Sequence, residues 1–99
     1  MPETALDALE AQYASVLVGL MERTFDSHQF ILALAQREQR LYVQALAAVA
    51  DSDRPFQIVH GEIARRLQNH PSLVQKVGEQ NSADIFGHMN SAVTWRKLV

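Results

Sequence analysis

The residues best equipped for chemistry in this chain are four histidines and one unusually placed glutamate. The histidines stand at His28, His60, His70 and His88. No two of them are three or four positions apart and the pattern HExxH does not occur, so no single helix face would offer two imidazoles to a metal. We therefore expect no metal site and no cofactor. We expect His60 at the edge of the core, with one ring nitrogen hydrogen-bonded.

Glu38 is the residue that fits its sequence surroundings least. If residues 27–49 form one helix, steps of about 100° per residue place Glu38 near the centre of a broad apolar arc. An unpaired carboxylate in such a place is costly, so it must be paired or hydrogen-bonded. We expect a structural role that fixes the register of the helices, with proton chemistry in a ligand pocket as the alternative. Glu38 and His60 are the two candidates for buried polar residues.

Nucleophilic catalysis has less support in the sequence. The chain contains no cysteine, so it has neither a thiolate nucleophile nor a cysteine-based zinc site. None of its serines lies in a G-x-S-x-G turn, and there is no glycine-rich loop of the kind that holds phosphate groups. We therefore predict that the protein is not an enzyme.

Residues 60–77 carry a pattern that has the shape of a helix-turn-helix. A small residue, Ala64, stands where two helices would cross, and apolar anchors flank a short connector. The possible DNA-binding residues are Arg65, Arg66, Ser72, Gln75 and Lys76. The two arginines would contact phosphates, and the other three residues would face base edges. The connector lacks the usual glycine and the second helix would have two turns at most, which weighs against this interpretation.

Apolar residues recur at steps of three and four through most of the chain, which is typical of amphipathic helices, whereas strand-like alternation is short. The pattern predicts helices at about 4–21, 27–49, 55–68, 71–78 and 91–98. The second would be about 35 Å long at 1.5 Å per residue and would form the centre of the molecule. We expect Trp95 to dock the last helix. The predicted fold is all-α, a single small domain of four to five helices with orthogonal or bundle-like packing.

The apolar stripe of the first helix is narrow and resembles a heptad pattern, so it suits packing on a sister helix or on a second subunit. It consists of Leu6, Leu9, Tyr13, Val16 and Leu20. The first two helices expose more apolar surface than the small C-terminal helices could cover. We therefore expect a homodimer that uses this stripe as its interface.

Length and composition set the broad class of the protein. Its 99 residues suit a single domain over residues 1–99, and 47% apolar and 20% charged residues are close to globular averages. The longest apolar runs are far shorter than the roughly 20 residues that cross a bilayer, so we expect no contact with a membrane. The acidic N-terminus argues against a secretory signal, and the lack of cysteine fits a cytoplasmic location.

Charge divides the chain into two halves. Residues 1–53 hold three basic and eight acidic side chains, a net charge of −5, whereas residues 54–99 hold six basic and three acidic, a net charge of +3. The domain is thus an acidic helical hairpin at about 4–49 followed by a mildly basic helical group at about 55–98. The total of −2 is low for a nucleic-acid binder.

These patterns favour a non-catalytic helical protein-interaction module that self-associates and docks a protein partner. The alternative is a small helix-turn-helix protein that binds DNA through residues 60–77.

Overall fold

The computed structural model describes residues 4–99 and shows a mixed α/β fold, so the all-α prediction is wrong. Its helices are α1 (Ala5–Glu10), α2 (Tyr13–Gly19), α3 (Ser27–Arg37), α4 (Gln39–Ala48), α5 (Pro55–Arg66) and a 3₁₀ turn at Leu67–Asn69. Its strands are β1 (Thr24–Asp26), β2 (Val74–Ala83) and β3 (Met89–Lys97). The strands form an antiparallel sheet in the order β1, β3, β2.

The C-terminal third of the chain differs most from the prediction. The helices expected at 71–78 and 91–98 are absent from the described residues, which form the hairpin of β2 and β3 there. Residues 79–90 belong to this hairpin and to its turn. The second helix of the predicted helix-turn-helix therefore does not exist, because its residues lie in a turn and in β2.

A tight turn at Asp84–His88 closes the hairpin. The Gly87 amide donates to the Asp84 carbonyl at 2.9 Å, and the Asp84 amide donates to the His88 carbonyl at 2.8 Å. The Asp84 carboxylate accepts the amides of Phe86 and His88 at 2.9 and 3.0 Å. Gly87 has φ of +85°, a conformation that favours glycine. Asp at the first and Gly at the fourth position is a frequent β-turn pattern, so these residues explain the reversal.

The predicted helices in the first half are present but interrupted. The helix expected at 4–21 divides into α1 and α2, and the one expected at 27–49 divides at Glu38, whose φ and ψ are −120° and 54°. Glu38 lies at this junction and is partly exposed, so it is not the buried acid that a continuous helix would make it. The helix expected at 55–68 is present as α5 and the 3₁₀ turn, with Pro55 in its first turn.

The core lies between the helices and one face of the sheet. It includes Leu9, Tyr13, Val16, Phe30, Leu34, Ile63, Leu67 and Trp95. Leu9, Tyr13 and Val16 are at most 1% exposed, and Leu6 and Leu20 pack against the same core. The stripe expected to form a dimer interface is therefore used within the chain itself.

Polar contacts fix the sheet to the helices. The buried ammonium group of Lys97 donates to the carbonyls of Leu17, at 3.1 Å, and Leu20, where α2 ends. A cation at the C-terminal end of a helix also interacts favourably with the helix dipole. β3 is thus held to α2 at one end and to β1 along its side.

Arg66 joins α5 to α1. Its guanidinium lies 2.9 Å from an Asp7 carboxylate oxygen, 3.0 Å from Glu10 and 3.3 Å from Glu62. The hydrogen bond from Arg66 holds the pKa of Asp7 below its usual value. Nearby, the buried Tyr13 hydroxyl donates to the Ile63 carbonyl at 2.7 Å, and burial raises the pKa of this hydroxyl well above its usual value.

We predict that Arg66→Gln lowers the free energy of unfolding by about 1–2 kcal/mol, because three carboxylates lose a shared cation at a largely buried position. Arg65→Gln is the matched control, because the exposed Arg65 pairs with Glu62 alone within residues 4–99, and its loss should cost no more than about 0.5 kcal/mol. Urea unfolding followed by tryptophan fluorescence measures both. Equal midpoints for the two variants would show that Arg66 does not join the helices.

Candidate binding surface

A groove separates α5 from the β2–β3 hairpin. It comprises two adjoining cavities of about 780 and 560 Å³, and Ser27, Ala64 and Val93 line both. We call it the α5–hairpin groove. Its helical wall includes the small residues Gly61 and Ala64, and a Cβ added at Gly61 would meet no heavy atom within 4 Å. Because Gly61 and Ala64 have little or no side chain, this side of α5 does not fill the groove.

Aromatic rings form one end of the groove. The rings of Phe56 and Phe86 meet edge to face, with centroids 4.9 Å apart, and Phe86 also stacks on His60 at 6.1 Å. Phe86 is 52% exposed and Phe56 is 38% exposed. This end therefore presents an apolar surface to the outside.

His60 is the half-buried titratable group within this aromatic end. Its Nε2 lies 2.5 Å from the Tyr42 hydroxyl oxygen. Burial lowers the pKa of His60, against a smaller upward effect of the Asp84 carboxylate and with a further lowering by His28. Burial also raises the pKa of Tyr42, so the phenol stays protonated at neutral pH and shares a hydrogen bond with His60 Nε2. His60, predicted at the edge of the core, is partly buried and has Nε2 in this hydrogen bond.

Side-chain contacts hold the hairpin beside the start of α3. His28 Nδ1 lies 2.7 Å from the Ser82 hydroxyl oxygen, and the Trp95 indole donates to the Ser27 hydroxyl at 3.3 Å. Gln80 donates to the Asp26 carboxylate, which also caps α3. These contacts fix the position of the hairpin relative to the start of α3.

The structure brings together three of the five residues predicted to bind DNA. Arg65, Gln75 and Lys76 line the larger cavity, the first from α5 and the other two from β2. Arg66 is held by the carboxylates of α1 and α5, and Ser72 lies in the turn before β2. The predicted residues therefore meet across the groove rather than along two packed helices.

The outward side of α5 is mostly polar. Steps of about 100° per residue place three exposed positions of the helix, Gln57, Gly61 and Arg65, within an arc of about 80°. Ile58, which is 40% exposed, lies beside Arg65. Arg54 stands just before the helix and Gln68 stands in the 3₁₀ turn after it, and both are exposed. Of these polar residues, Arg65 alone was predicted from the sequence to bind DNA. Glu62 lies beside this arc and is bound by Arg65 at 2.7 Å and by Arg66 at 3.3 Å. We call the exposed residues Arg54, Gln57, Gly61, Arg65 and Gln68, together with the adjoining hairpin and its exposed Lys76, the α5 surface. The 100° periodicity of the predicted helix could have revealed its arc.

Neither a metal-binding cluster nor a pocket shared by Glu38, His60 and Tyr42 forms within residues 4–99. Over residues 4–99, no group of three or more His, Asp and Glu side chains is placed to hold a metal ion. The alternative role of Glu38, proton chemistry in a ligand pocket, would need His60 or Tyr42 beside it. His60 lines the smaller cavity, but within the described chain neither Glu38 nor Tyr42 lines either cavity of the groove. In the same part of the chain, no helix has both the length and the apolar character needed to span a membrane.

Comparisons of this chain with known protein families, with curated proteins and with solved structures find no match.

We predict that His60 makes the fold more stable as the pH rises through the pKa of a histidine in the unfolded chain, about 6.5. Because folding lowers the pKa of His60, the unfolded chain binds the proton more tightly. The contribution of His60 to the free energy of unfolding is fully present above its pKa in the unfolded chain. It is lost as the pH falls through the lower pKa that His60 has in the folded state. His60→Gln should reduce the slope of the free energy of unfolding against pH. Thermal unfolding at several pH values measures this, and an unchanged slope in His60→Gln would contradict it.

Proposed function

We propose that this protein is a non-catalytic module that binds duplex DNA through the α5 surface. The observation that supports this most is the outward arc of α5, where Gln57, Gly61 and Arg65 lie between the exposed Arg54 and Gln68. These side chains are suited to reading base edges, since arginine pairs with guanine and glutamine with adenine in the major groove. Gly61, at the middle of the arc, has no side chain to hold a ligand away from the helix.

The dimensions of the α5 surface fit this role. With 12 residues, α5 is about 18 Å long, and a major groove about 12 Å wide admits a helix. The hairpin lies beside α5 and carries the exposed Lys76 on β2, where a cation could contact a phosphate. The helix and the hairpin together would therefore provide base contacts and contacts to the DNA backbone.

The distribution of charge also supports the proposal. The carboxylates of Asp7, Glu10 and Glu62 are bound by Arg66, and the Asp84 carboxylate is bound by amides of its turn. These acids therefore repel phosphate less than free carboxylates would. With three cations near the α5 surface, the logarithm of the binding constant should fall with the logarithm of the salt concentration with a slope of about −3.

A protein partner is the second candidate, and the exposed rings of Phe56 and Phe86 are the observation that favours it. Exposed aromatic side chains often dominate the affinity of protein interfaces. Self-association would use this surface too, since the stripe of the first two helices lies in the core. Light scattering at about 50 µM distinguishes these cases. A dimer that the double variant Phe56→Ser/Phe86→Ser converts to a monomer would favour a protein interface at this surface. A monomeric unmodified protein would exclude self-association.

We predict that random-sequence duplex binds at about 50 mM salt and dissociates at about 200 mM. Arg54→Gln/Arg65→Gln should weaken binding about tenfold and should make the salt slope shallower by about 2, because two phosphate or base contacts lose their charge. Fluorescence anisotropy of labelled duplex measures both quantities.

Arg40→Gln is the matched control, since Arg40 is an exposed arginine on α4, away from the α5 surface. It should bind like the unmodified protein. No saturable binding at low salt, or equal losses in Arg40→Gln and the double variant, would remove the DNA proposal.

A further inference from the structure

We infer that the larger cavity of the α5–hairpin groove is a binding site for a small organic acid with an apolar body. The inference goes beyond DNA binding and concerns the cavity between the 3₁₀ turn, the C-terminal part of α5 and the hairpin. Its volume of about 780 Å³ lies within the range of about 300–1,000 Å³ that is common for small-molecule sites.

The inner part of this cavity is apolar. It is lined by Leu67, Val74 and Trp95. Each of these residues is at most 6% exposed and belongs to the core. The Trp95 indole nitrogen donates to Ser27, so the polar atom of this side chain is already satisfied and its carbon surface faces apolar neighbours. An apolar or aromatic group of a ligand would therefore gain from leaving water here.

The charge at the opening selects the polar end of the ligand. Arg65 and Lys76 both line the cavity, and no lining residue that the structure describes is acidic. Arg65 already forms an ion pair with Glu62, whereas Lys76 makes no ion pair within residues 4–99. Lys76 is thus the principal cation for a carboxylate, and the amides of Gln68 and Gln75 add hydrogen-bond donors at the opening.

The smaller cavity differs in this respect. It is lined by Asp84 and three histidines and has no lysine or arginine among its described lining residues. A carboxylate would meet a like charge there. The two cavities therefore differ in the ligand charge that they favour, and the anion belongs in the larger one.

If the protein binds DNA as proposed above, an acid bound in the larger cavity would affect that binding. A bound carboxylate would neutralise Lys76 and part of Arg65, which the α5 surface offers to DNA. The acid and the duplex would then compete.

Trp95 allows the cavity to be tested directly, since it is the single tryptophan of the chain and lines this cavity. We would titrate the protein with 4-phenylbutyrate and, separately, with the neutral 4-phenyl-1-butanol, and follow Trp95 emission without DNA. The expected result is a saturable change with both compounds and binding of the acid about fivefold tighter, because only the acid contacts Lys76.

Lys76→Met should remove the preference for the acid and leave binding of the alcohol unchanged. Arg96→Gln is the matched control, an exposed cation on β3 that does not line the cavity. Ala64→Phe should fill the cavity and abolish binding of both compounds, with circular dichroism confirming its fold.

The inference is overturned if neither compound gives a saturable change, if the acid and the alcohol bind equally, or if Lys76→Met retains the preference for the acid. Displacement of labelled duplex by 4-phenylbutyrate is a separate measurement. Failure of DNA binding would remove the proposed function and leave the Trp95 titrations to decide the cavity.

Discussion

The reversal of the chain at Asp84–His88 is the constraint on which the rest of the structure depends. One carboxylate accepts two backbone amides and an Asn90 side-chain donor there, and Gly87 supplies the one conformation with positive φ in the described chain. The reversal places β2 along β3, and β3 in turn pairs with β1. A hairpin fixed in this way forms a wall opposite α5, which a helix at the same positions would not form.

The sequence predicted the helical part of the fold better than the sheet. α5 combines Pro55 in its first turn with buried residues at helical spacing, so both local and packing signals agree. In β2, by contrast, Val74 is the one buried residue, and a bulge near Val77 shifts the register. A strand that is mostly solvated shows little apolar alternation, so its residues could be placed in a short helix without an obvious conflict. The Asp84 and Gly87 spacing was the signal that could have revealed the hairpin.

The same reasoning explains why the candidate surface was only partly predictable. Arg65 and Arg66 are adjacent in sequence, but they lie about 100° apart around α5. Arg66 consequently faces the carboxylates of α1, whereas Arg65 reaches the groove. Periodicity alone places the two side chains on different faces, but it does not show which face carries the acidic partners. That information depends on the packing of α1, about sixty residues away in sequence.

The polar groups around the groove fall into two kinds, those that contact other groups of the protein and those that are exposed. His28, His60 and Asp84 each contact another group of the protein, and these contacts fix the positions of α3, α4 and the hairpin. The exposed groups on the outer part of the groove are the cation Lys76 and amides such as Gln57 and Gln75, which hydrogen-bond ligands well and have little reactivity at neutral pH. The side chains that contact other groups of the protein therefore maintain the shape of the groove, and Lys76 and the exposed amides are the groups that we propose to recognise an anion.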